Sequence, residues 1–256
     1  MQELLGKLLR RKKVKRIIIA LIVLILTPRP CEAFIKKESF YPYIGKCFFY
    51  VGEYYLLTDD YEKAIKNYTR AIGLNPNAKQ AYFKRGNVYS LLGKHQEALS
   101  DFTRVIELDP KYTDAYYARG RTYGFLGKKQ EAISNFTRAI ELDPKYIDAY
   151  YYRGLAYALL TKYQEALSDF NKIMEIDFEN PKAYFGRGVV YNLQSKYQDA
   201  VSEYNSALEI DPRYKDAYIG RAHAYIDGFN NRVMGCVDLK RACKLGDCED
   251  YKKYCQ

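Results

Sequence analysis

Residues 81–114 read AYFKRGNVYSLLGKHQEALSDFTRVIELDPKYTD, and residues 115–148 read AYYARGRTYGFLGKKQEAISNFTRAIELDPKYID. A shift of 34 residues superposes the two almost letter for letter. Self-similarity at such a period marks one small supersecondary unit stacked on its own copies. Numbered from 45, the unit recurs as 45–78, 79–112, 113–146, 147–180, 181–214 and 215–246. Position 8 is Gly52, Gly86, Gly120, Gly154, Gly188 and Ala222, and position 11 is Tyr in every copy, Tyr55 to Tyr225. Position 20 is Ala64, Ala98, Ala132, Ala166 and Ala200, and position 24 is Tyr68, Phe102, Phe136, Phe170 and Tyr204. Position 32 is Pro76, Pro110, Pro144 and Pro212, with Phe178 as the exception.

Apolar and small residues at 4, 8 and 11, and again at 20, 24, 27 and 28, form two helical stripes parted by a polar turn that holds Gly93 or Gly127. Small residues at 8 and 20 let two backbones approach, and the rings at 4, 11 and 24 fill the space beside the crossing. Pro near the end stops the second helix, because it lacks an amide hydrogen and restrains the residue before it. These residues resemble the tetratricopeptide repeat: aromatic at 4, Gly at 8, Tyr at 11, Ala at 20, aromatic at 24, Pro at 32. The resemblance spans 45–246 and implies an all-α, right-handed solenoid of six helix-turn-helix units that works as a scaffold for proteins.

Position 7, usually Leu in that family, is here Arg85, Arg119, Arg153, Arg187 and Arg221. We read this ladder as stacking chemistry, each guanidinium bonding an acid at the repeat boundary where Asp109, Asp143, Asp177 and Asp211 recur. The other reading is a stripe facing a ligand.

The resemblance also implies a concave groove lined by positions 2, 5, 9, 12 and 13 of the first helices. Position 5 carries Phe49, Phe83, Tyr117, Tyr151 and Phe185, large contact area at low entropic cost for a peptide or a partner helix. The polar candidates are Lys84, Asn87, Ser90 and Arg121, which suit an anionic group at one end, while Leu155, Ala158 and Val189 are apolar. The expected partner is therefore a protein or peptide.

The net charge of +10 is concentrated at the start, where residues 1–33 hold eight bases and two acids. The rest mixes both signs, which argues against nucleic acid as a partner. After the basic run 10–16 come ten apolar residues, Ile17 to Leu26, about half the length that spans a bilayer. Residues 1–33 read as an export signal cut ahead of Phe34, with an uncleaved anchor through residues 10–26 as the alternative and lipid-modified Cys31 as a third. Each places the repeats outside the cytoplasm, after a linker at 34–44. A self-associating component of the cell envelope is the second functional reading.

Four of six cysteines lie at the end of the chain. Cys236 and Cys243 are two helical turns apart, as are Cys248 and Cys255. A hairpin turning at Leu245-Gly246 places Cys243 opposite Cys248 and Cys236 opposite Cys255, so two nested disulfides are expected over a cap at 247–256; free thiols are the other reading. Zinc is disfavoured because ligands about 10.5 Å apart on one helix cannot share a tetrahedral ion. Cys47 has no evident partner. No nucleotide-binding loop, zinc-protease motif or nucleophile elbow is present, so neither catalysis nor a cofactor or metal is expected. His95 and His223 read as solvated polar residues. Asn67-Tyr-Thr69 and Asn135-Phe-Thr137 match the glycosylation acceptor but fall inside predicted helices.

Overall fold

The computed structural model describes residues 41–256, with side chains from Gly45 onward. The readings made on residues 1–33 fall outside them. The described chain is all-α, and it divides into two compact units, one ending at Leu126 and one running from Gly127 to Gln256.

The first unit holds α1 (Tyr41–Leu57), α2 (Tyr61–Leu74), α3 (Lys79–Leu91), α4 (His95–Leu108) and α5 (Thr113–Phe125). Here α1 pairs with α2 and α3 with α4, and α5 stacks on α4. Helix α1 begins inside the stretch read as a linker. The second unit holds α6 (Lys129–Leu142), α7 (Ile147–Ala158), α8 (Tyr163–Ile176), α9 (Pro181–Leu193), α10 (Tyr197–Ile210), α11 (Lys215–His223), α12 (Arg232–Lys244) and α13 (Glu249–Cys255). In it α7 pairs with α8, α9 with α10 and α11 with α12, so the helix pairs of the 34-residue period are stacked within each unit.

The turn inside each pair depends on position 15, which takes positive φ in all six copies: Asp59, Gly93, Gly127, Thr161, Ser195 and Asn230. Gly93 and Gly127 adopt it freely, whereas branched Thr161 at φ 58° is held there against its preference. The second helices stop at position 30 whether or not Pro follows. Helix α8 ends at Ile176 although Phe178 replaces the Pro. What recurs is an extended Asp cap, whose carboxylate accepts from a backbone N–H two residues on in Asp109–Lys111, Asp143–Lys145 and Asp211–Arg213.

The core sits where position 24 meets position 8. Tyr68, Phe102, Phe136, Phe170 and Tyr204 are all buried, each contributing about 1.5–3 kcal/mol by leaving water. A Cβ added at Gly86 would lie 2.8 Å from the Phe102 ring, and one at Gly154 would lie 2.8 Å from Phe170. The ring therefore fits only because position 8 has no side chain.

Copy six absorbs its extra residue within its first helix. After α11 the chain widens into a π turn, Ala224–Gly228, before Asn231 caps α12 by accepting from the Met234 N–H. Set against the 34-residue period, the spacing of copy six predicts one extra residue in the turn Gly228 to Arg232; the structure places it upstream, in the π turn.

Candidate functional site

Three side-chain rows run along the first helices, and only some of their members are free to meet a ligand. The position-7 arginines are not. Arg85 grips Asp101 with two hydrogen bonds of 2.8 and 2.7 Å, and its other terminal nitrogen donates to Thr69 Oγ1 at 2.8 Å. Arg153 repeats this with Asp169 and Thr137, and Arg221 with Asp238 and Asn205. Arg187 pairs with Glu203 and Asn171, and Arg119 donates to Thr103. Four guanidinium groups, those of Arg85, Arg153, Arg187 and Arg221, thus bind the acid at position 23 of their own copy, and all five reach position 25 of the copy before. Guanidinium groups of the ladder also lie over Tyr rings at positions 4 and 11, as that of Arg85 does over Tyr82 and Tyr89.

The stacking role of the ladder stands, but its acids are corrected. Asp109, Asp143 and Asp211 cap backbone turns, and Asp177 accepts from the Asn180 side chain; none of the four bonds the ladder. Burial raises the carboxyl pKa of Asp101 and of Asp169, against the pull of the arginine that each meets. These pairs are desolvated structural staples.

The position-5 aromatics are partly consumed by packing. Phe83 touches Phe102 and Tyr112, at 5.8 and 5.2 Å between centroids, and Phe185 meets Tyr204 and Tyr214 at the same spacings. Tyr151 is buried against Phe170, and burial pushes its hydroxyl up to about 12. Phe49 tilts against Tyr68 at 5.8 Å, and Tyr117 lies under the Arg121 guanidinium.

Among the polar candidates, Lys84 pairs with Glu53 at 2.9 Å, and Glu53 also accepts from the Tyr68 hydroxyl at 2.5 Å. The Lys84 charge is compensated there. Ser90 contacts Thr122 at 3.4 Å, and Asn87 is half-buried. Arg121 also lies 5.7 Å over the Phe125 ring, on which His95 stacks at 5.6 Å.

What remains uncovered is position 13, in the last turn of each first helix. In the first unit Leu57 is partly exposed, Leu91 is 65% exposed and Phe125 64%. In the second unit Leu159 and Leu193 are exposed at the same position. Sequence reasoning placed position 13 in the groove but did not single these residues out. A large apolar side chain repeated at a position that owes nothing to the core was the signal.

A cleft of about 510 Å³ opens in the first unit beside Phe49, lined among others by Gly45, Ala71, Leu74, Ala78 and Ala81. Its origin is one substitution between copies. Position 34 carries Tyr112 and Tyr214 in copies two and five, each against a position-5 ring, and Ala78 in copy one. Ala78 keeps the backbone of those tyrosines, with φ −73° and ψ 72° against −76° and 87° at Tyr112. Ala78→Tyr should therefore fill the cleft and raise stability by about 1 kcal/mol, read as an upward shift in thermal unfolding. An unchanged or lowered midpoint would show that the ring does not fit.

At the carboxy terminus, Cys236 bonds Cys255 and Cys243 bonds Cys248, the nested pairing expected. Cys47 is also disulfide-bonded. His223 pairs with Asp250 at 2.8 Å and meets the Tyr254 ring edge-on, so it helps to dock α13 and is not simply solvated. Asn67 and Asn135 are buried, each donating to a backbone carbonyl four residues back, which removes both acceptor motifs from modification. Among the described residues, no cluster of three or more metal-ligating side chains occurs, and no helix is long and apolar enough to cross a membrane.

Family models described as tetratricopeptide repeat match residues 80–112 and 181–214, 102–134, and 147–180, and one described as TPR repeat matches 52–93 and 125–160. A search of curated proteins returned no match. Among solved structures, the MamA protein is 27% identical, with a TM-score of 0.60 over 66% of this chain and 92% of that one. A tetratricopeptide repeat protein from Parabacteroides merdae is 20% identical, with a TM-score of 0.66 over 82% of this chain and 96% of that one. YrrB, a TPR protein with an unusual peptide-binding site, is 23% identical, with a TM-score of 0.51 over 72% and 94%.

Proposed function

Because the chain is a tetratricopeptide repeat protein, we propose that it is a non-catalytic scaffold that binds an apolar peptide or partner helix along its first helices. The observation that carries this reading is the exposed position-13 row, Leu91 and Phe125 above all. Two large apolar side chains held in water one repeat apart cost free energy that a bound partner would recover, about 1.5–3 kcal/mol for each side chain fully covered. The aromatic cleft at Phe49 adds a place for a ring at one end of the same unit. With Lys84 already paired to Glu53, the apolar contacts dominate. Repeats stapled by disulfides persist in an oxidising compartment, which supports placement outside the cytoplasm.

The test is selection of displayed peptides on the full chain, followed by affinity measurement with Leu91→Gln and Phe125→Ser. Each substitution should weaken the selected peptides about tenfold or more while leaving thermal unfolding in place, since neither side chain is in the core. Peptides indifferent to both changes would remove the row from the binding surface.

A further inference from the structure

The solvent face of the second helix repeats one polar pattern in copies two to five. Gln96, Gln130, Gln164 and Gln198 stand at position 18, and Ser100, Ser134, Ser168 and Ser202 at position 22, all exposed. An acid follows each Gln, and another acid stands at position 29. In copies two to four that second acid neutralises the base three residues before it: Arg104–Glu107 at 3.0 Å, Arg138–Glu141 at 2.7 Å and Lys172–Glu175 at 2.6 Å.

Copy six keeps the helix and reverses the face. Read past the π turn, positions 18, 19 and 22 become Val233, Met234 and Val237, and positions 25, 26 and 29 become Lys240, Arg241 and Lys244. Val233 is 77% exposed, Val237 54% and Met234 44%. Steps of four, seven, eight and eleven residues bring Val237, Lys240, Arg241 and Lys244 back over Val233, so apolar and basic halves share one stripe. The acid that would compensate Arg241 has itself become Lys244. Among the described residues no acid pairs with Lys240, Arg241 or Lys244.

Only Lys240, at the position that in the other copies accepts from the next repeat's arginine, borders the seam on which another repeat would stack. Gly235, Asp238, Leu239 and Ala242 are buried on the opposite side, and α13 covers the flank that carries Cys236 and Cys243. Nothing in the core requires Val at 233 or 237, since Gln and Ser occupy those positions in four other copies of the same helix.

We propose that this face of α12 binds an anionic lipid surface. An uncompensated basic half complements acidic headgroups, and the Val233, Met234 and Val237 half enters the apolar boundary beneath them. The helix face carries no aromatic anchor of the kind that dominates protein interfaces. Phe229, also exposed, lies in the loop leading into the helix. The stripe is pre-formed by the disulfide-bonded cap, so little ordering is needed on contact.

The experiment uses the full chain with vesicles of phosphatidylcholine alone or mixed with phosphatidylglycerol. Two readouts are followed: co-sedimentation, and the rate at which peroxide oxidises Met234. Anionic vesicles should slow Met234 oxidation, and phosphatidylcholine alone should not. Two variants restore the residues of the other copies, Val233→Gln with Val237→Ser, and Lys240→Thr with Lys244→Glu. Each should lower vesicle partition about tenfold and abolish the protection of Met234. Both keep residues 10–26, so any binding by that segment cancels from the comparison. Unprotected Met234 on anionic vesicles, or protection indifferent to both variants, would overturn the proposal. So would equal protection by soluble polyglutamate without vesicles, which would assign the face to an acidic protein.

Discussion

Replacing Arg153 with Met lowers the stability of the second unit by about 3–5 kcal/mol, the cost of leaving a buried carboxylate without its partner. Asp169 is buried, the Arg153 side chain is 16% exposed, and the two are joined by two charge-assisted hydrogen bonds of 2.9 and 2.7 Å. Burial already raises the Asp169 pKa, and the arginine opposes that rise. Its loss lets the folded-state pKa climb further above that of the unfolded chain. A carboxyl shifted in this direction favours the folded state below the unfolded pKa and loses that contribution as pH rises through the folded value. The deficit of Arg153→Met is therefore largest near neutrality and shrinks on acidification, which urea unfolding at a series of pH values would read. Adding Asp169→Leu should recover most of the loss, because an apolar pair replaces a buried ion pair at little cost. A deficit below about 1 kcal/mol, or one independent of pH, would mean that the pair is solvated in solution.

Removing the outer cap disulfide with Cys236→Ser and Cys255→Ser costs about 3 kcal/mol in the chain-entropy description, for a bridge between residues 19 apart. The effect should be local first. Helix α13 has seven residues and buries none of them, and a helix so short does not hold in water without a tether. Among its remaining ties are the bond from Arg232 to the Tyr254 carbonyl, the edge-on contact of His223 with the Tyr254 ring, and the partly exposed ion pairs His223–Asp250 and Lys215–Asp247, each of small value. Hydrogen exchange over 249–255 should rise to that of an unstructured segment while Cys243–Cys248 stays intact. Continued protection there would show that side-chain docking holds the cap on its own.

The 34-residue period made the helix pairs and the ring-against-glycine core legible, and the seven-residue spacing on either side of one turn did the same for the nested cysteines. The ladder's acids follow from the same geometry as the cysteines. A hairpin turning at position 15 brings 7 opposite 23, as one turning at Leu245-Gly246 brings Cys243 opposite Cys248. Asp101 was hidden by its neighbour Phe102: an acid beside a core ring reads as solvent-facing until its partner is known. Asp109, conspicuous beside Pro110, serves its own turn. The groove was less legible for another reason. Whether Phe83 faces a ligand or Phe102 and Tyr112 is decided by a rotation of the helix that no 34-residue pattern records. The start of α1 at Tyr41 escaped because copy one has no predecessor to reveal its extension.

Each staple reaches as far backward as forward: Arg153 meets Thr137, sixteen residues before it, and Asp169, sixteen residues after. A single 34-residue block therefore carries lock and key together, an arginine for the block behind it and a hydroxyl or amide for the block ahead. Duplicating or deleting a whole block between two others joins an arginine to a new acceptor of the same kind and strands no charge. Selection can lengthen or shorten such a chain in whole units without first repairing an interface, and the near-identity of residues 81–114 and 115–148 is what a recent event of that sort would leave behind.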